Sequence, residues 1–85
     1  MQDDFSHLKW ACRRGMLELD TMLQPFLEHD YQQLTSLQKT DFKRLLDCSD
    51  LMLFRCLVRC QAPEDISLKN ILGVIREKHQ ARHTN

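Results

Sequence analysis

MLELDTMLQPFL, residues 16–27, decides the fold. Met16, Leu19, Leu23, Phe26 and Leu27 recur at steps of 3, 4, 3 and 1, which places them on one stripe of an amphipathic helix. Glu18 points away from that stripe, so the segment buries one face and wets the other. Pro25 interrupts the pattern without an amide to give to the Thr21 carbonyl, and a kink or break is expected there.

The same period extends in both directions. Upstream, Phe5, Leu8 and Cys12 at i, i+3 and i+7 predict a short helix from about Asp4 to Cys12, which Gly15 then separates from the next. Downstream, Thr35 and Gln38 form a capping box, opening a helix that carries Leu37, Phe42, Leu45 and Leu46. Asp50 is the expected N-cap of LMLFRCLVRC, with Leu53, Phe54 and Leu57 facing inward. Pro63, Glu64 and Asp65 open a last helix whose apolar residues are Ile66, Leu68, Ile71, Leu72 and Ile75. Gly73 lies inside it, as if to permit close helix packing, and the polar residues 77–85 are expected to fray. With two Pro, two Gly and no sustained strand alternation, the expected fold is all-α: one domain over 1–85, a compact bundle of about five short helices.

An 85-residue chain has a modest core and little room for a deep substrate cavity, which argues against a stand-alone enzyme. Twelve basic side chains balance twelve acidic ones, without the net basic field that nucleic-acid binding demands. No apolar run approaches the ~20 residues that span a bilayer, so no membrane insertion is expected. The start, MQDDFSHLKW, fits neither a secretory leader nor a transit peptide. Cys12, Cys48, Cys56 and Cys60 are therefore read as free thiols in a reducing cytoplasm.

Three site chemistries are weak. Cys56 with Cys60, and His79 with His83, are spaced to share helix faces, but a paired second half for a metal site is missing. Arg13 and Arg14 are near enough in sequence to acidify Cys12, yet no general base or oxyanion turn accompanies it, and core packing is the better reading. Gly15 stands alone and makes no phosphate cradle.

WACRRGMLELD, residues 10–20, is the densest stretch. Were the helical turn to reach back to Arg14, that residue would pair with Glu18 at i, i+4 on a solvated face, for a few tenths of a kcal/mol. The functional alternative is a docking surface, in which Gly15 lets a partner's backbone come close and Trp10 serves as an aromatic contact instead of a core residue.

Followed by PFLEHDY and LLDCSDLMLF, this stretch resembles the SdhE family of flavin-assembly factors for succinate dehydrogenase. The family hallmark, Arg-Gly-x-x-Glu, falls on Arg14, Gly15 and Glu18, and Asp20 completes a longer run. Agreement continues through Phe26, Glu28, Tyr31, Leu45, Leu46, Asp47, Asp50, Leu53, Phe54 and Leu57, covering roughly residues 7–72. Departures fall on Leu51 and Met52, where some relatives have Pro-Asp, on Cys56, where they have Trp, and on His7 and Lys9.

The resemblance implies a soluble, non-enzymatic helper in the bacterial cytoplasm, and a monomer is expected. It would bind the flavoprotein subunit of succinate dehydrogenase, and that of fumarate reductase, and promote covalent attachment of FAD. The flavin belongs to the client, and no cofactor is held stably by the helper. Arg14, Gly15 and Glu18 are the implied partner-binding residues, with Trp10, Asp20, Asp47 and Asp50 as further candidates. Two rivals are a regulatory module of the antitoxin type acting on another partner and a carrier that binds free FAD.

Overall fold

The computed structural model describes residues 3–83, and among these every regular element is helical. α1 spans Asp3–Ala11 and α2 Leu17–His29, followed by a 3-10 turn at Tyr31–Gln33. α3 spans Ser36–Leu46, α4 spans Asp50–Leu53 and widens into a π turn at Phe54–Val58, and α5 spans Ile66–His83. The expected bundle of five helices is what forms.

α5 packs against both α2 and α3, which makes α2 and α5 the centre of the molecule. The stripe on α2 is buried at Leu19, Leu23, Phe26 and Leu27, with Met22 added, while Met16 stays half-buried at the N-cap. The Phe26 and Phe42 ring centroids lie 5.3 Å apart, and Tyr31 follows at 5.7 Å from Phe42. These tilted pairs join α2 and the 3-10 turn to α3. Of the kink or break expected at Pro25, no break occurs, and the helix runs unbroken over Leu17–His29. Leu23 on one side and Phe26 and Leu27 on the other are all buried, so packing holds both halves in one helix.

α3 begins as expected: Thr35 Oγ1 accepts from the Gln38 amide at 3.1 Å, and Gln38 Oε1 accepts from the Thr35 amide at 3.0 Å. Leu37, however, is exposed, because its position lies well off the stripe of Phe42, Leu45 and Leu46. The cap of α4 is also displaced by one residue. Ser49 Oγ accepts from the Met52 amide at 3.2 Å, and Asp50 is instead the first helical residue, its carboxylate committed elsewhere. Leu53 and Leu57 are buried, whereas Phe54 is half-buried against the core.

Four expectations fail along α5. Pro63 and Glu64 precede the helix, and Asp65 alone caps it, accepting from the Leu68 amide at 3.2 Å. Ile66 then faces solvent. Gly73 does not mediate close packing, since a Cβ placed there would meet nothing within 4 Å. The tail stays helical as far as His83, where Arg82 Nη1 donates to Asp30 Oδ2 at 2.9 Å and ties it to the end of α2. The last two residues, 84 and 85, lie outside the described residues.

Candidate functional site

Gly15 has φ +84°, a conformation L side chains avoid, so the chain turns sharply between α1 and α2. That turn removes the helical register presumed between Arg14 and Glu18, and the expected ion pair between them is not formed. Arg14 swings inward instead, leaving only 15% of its side chain exposed.

Its guanidinium is a clamp. Nε donates to Asp50 Oδ1 at 2.7 Å, Nη1 to the Ala11 and Leu46 carbonyls at 2.9 and 3.0 Å, and Nη2 to the Cys48 carbonyl at 2.8 Å. Four of its five N–H donors are thus spent inside the molecule. Two of the acceptors are carbonyls ending α1 and α3, which lack intrahelical partners and welcome a cation. The Arg14 amide donates to Asp20 Oδ1 at 2.7 Å, closing the turn from the other side. Arg14, Asp20 and Asp50 therefore form one internal network that fixes how Gly15 is presented.

Cys12 lies beside this network, fully buried. Burial pushes its thiol up to about 12, against the opposing pull of Arg14, so it is protonated at neutral pH and is no nucleophile. Burial likewise raises Cys48, with Asp47 adding to the effect. Cys56 and Cys60 do not share a face: Cys56 is buried, while Cys60 is exposed at φ +59° where the π turn ends. Among the described residues no group of three or more potential metal ligands comes together. Nor is any helix long and apolar enough to cross a membrane.

The remaining candidates face solvent. Nothing lies within 4 Å of the Cβ position of Gly15. Glu18 is exposed, carries no ion pair among the described residues, and borders an open groove of about 420 Å³. That groove is lined by Leu17, Met22, Leu57 and Val58, with His79 at its edge. Burial, followed by the nearby His83 and Arg82 charges, lowers the His79 pKa. Trp10 is 77% exposed, which settles against its being a core residue, and it borders a separate hollow between α1 and α2. Asp47 caps α3 beside a smaller hollow with His7 and Lys43.

Two features were missed from sequence. Leu17, 78% exposed, had a usable signal: it is apolar yet opposite the buried stripe of α2. The clamp had none, since three of its acceptors are main-chain carbonyls. Of the departures noted above, Leu51 alters the exposed surface, whereas Met52 and Cys56 pack on or in the core.

Comparison with known proteins agrees in extent and kind. Residues 6–79 match the family model described as "Flavinator of succinate dehydrogenase". A Serratia protein named FAD assembly factor SdhE is 42% identical over 80 residues, covering 94% of this chain and 91% of that protein. Proteins of the same name from Yersinia pestis and Mannheimia succiniciproducens are 40% and 44% identical. The first match covers 94% of this chain and 91% of the relative, the second 88% and 87%. The chain belongs to the family of succinate dehydrogenase flavinators.

Proposed function

We propose that this protein is an FAD assembly factor that binds the flavoprotein subunit of succinate dehydrogenase and promotes covalent attachment of FAD to it. The observation that carries this reading is the family match across residues 6–79, with Arg14, Gly15 and Glu18 all in place. The helper does no chemistry of its own. It binds one arrangement of the client preferentially, raising the population in which client and flavin react. Gly15 admits close approach, and Glu18 offers a charged acceptor to the client beside the apolar groove.

FAD is the client's cofactor and is not held stably here. The flavoprotein subunit of fumarate reductase is a second client. The protein acts as a monomer in the bacterial cytoplasm, and the three relatives named above are all bacterial. No observation favours the antitoxin-type alternative.

The test mixes the protein with apo flavoprotein subunit, FAD and a dicarboxylate, and reads covalent flavin by fluorescence in a denaturing gel. Wild type accelerates flavinylation and Gly15→Arg does not. Because any side chain at φ +84° is strained, Gly15→Asn, which tolerates that region, controls for folding. Equal rates with wild type, Gly15→Arg and no helper would overturn the proposal.

A further inference from the structure

The hollow between α1 and α2 lies on the opposite flank of the exposed α2 ridge from the Glu18 groove. It measures about 280 Å³ and is bordered by Lys9, Trp10, Arg13, Gln24, Leu27 and Glu28. Trp10, the only tryptophan in the chain, leaves most of its ring in water, although a residue of this size ordinarily gains much from burial. Lys9 and Arg13 flank it, and neither forms an ion pair among the described residues. Glu28 is the single carboxylate at the rim. In a chain without net charge this is a local excess of cations around an exposed aromatic.

We infer that this hollow receives an acidic segment of the flavoprotein client, with an apolar side chain seated against Trp10 and Leu27 and flanking carboxylates on Lys9 and Arg13. The inference rests on the docking function proposed above and adds a second contact to it. Charge complementarity selects the occupant: two cations without an ion pair among the described residues, set beside an aromatic, favour carboxylates next to an apolar group. Tryptophan and arginine are also the residues most often found to dominate interface energetics.

The single tryptophan permits a direct test. Labelled with 5-fluorotryptophan, the protein carries one fluorine resonance, to which the client's own tryptophans contribute nothing. Titration with apo flavoprotein subunit shifts it. Trp10→Ala weakens client binding at least about tenfold, as expected of an interface hot spot. Lys9→Gln with Arg13→Gln weakens binding and flattens its salt dependence. Both variants melt as wild type does, because the replaced side chains are exposed.

Wild-type affinity in both variants, with binding lost in Gly15→Arg, would overturn the hollow's role while leaving the docking function standing. Absence of any complex with wild type would sink the docking function and this contact together. A shift produced by free FAD, with client affinity unchanged in the variants, would overturn the inference in favour of a small planar anion.

Discussion

Arg14 and Glu18 stand four residues apart in one motif and end in opposite environments. The region around Arg14 is a polar interior in which main-chain carbonyls from three segments converge on one guanidinium. Around Glu18 the surface is open, with exposed Leu17 and an apolar groove. A motif that reads as one binding unit thus divides into a part that shapes the turn and a part that faces outward, with Gly15 as the joint.

The largest effect expected from that division is on stability. Arg14→Ala leaves three carbonyls and Asp50 without their donor, and should cost about 2–4 kcal/mol in denaturant unfolding. Its second readout is Cys12, which is buried in wild type and should resist a thiol reagent, unlike exposed Cys60. In Arg14→Ala, Cys12 gains reactivity at temperatures where most of the protein is still folded. Persistence of wild-type stability and Cys12 protection would mean that the clamp holds nothing.

The two glycines sharpen the same contrast at a smaller scale. Gly15→Ala puts a Cβ into open space but forces φ +84° on it, for a loss of about 1–2 kcal/mol. Gly73→Ala also meets open space, in an ordinary helix, and should add about 0.5–1 kcal/mol. Thermal melts of both decide the matter. Equal shifts of the same sign would remove the distinction between a glycine the backbone requires and one it merely tolerates.

Much of this fold was legible in the sequence because local rules and burial agreed. The stripe on α2 and the Thr35–Gln38 box each have a side-chain signature and a single mechanism. Errors arose where two neighbours competed for one role, as when Ser49 took the cap from Asp50 and freed that carboxylate for Arg14. Pro25 was overridden by burial on both sides, and residues 77–83 by a contact 52 positions away in sequence, from Arg82 to Asp30. In the candidate site Gly15 and Glu18 were readable, since a turn glycine and an off-stripe carboxylate follow from helix geometry. The inward position of Arg14 was not, because its acceptors are backbone atoms that every residue carries.

Smallest in stability and most telling in function is Glu18→Ala. Its side chain is exposed and free of ion pairs among the described residues, so unfolding should change by no more than about 0.5 kcal/mol. The measurement to make is the affinity of this variant for the apo flavoprotein subunit, by calorimetry at a temperature where it is fully folded. Loss of a charged hydrogen bond at the interface predicts binding weaker by about tenfold or more, with an unchanged melt. Wild-type affinity would contradict the claim that the outward half of the motif is the docking surface.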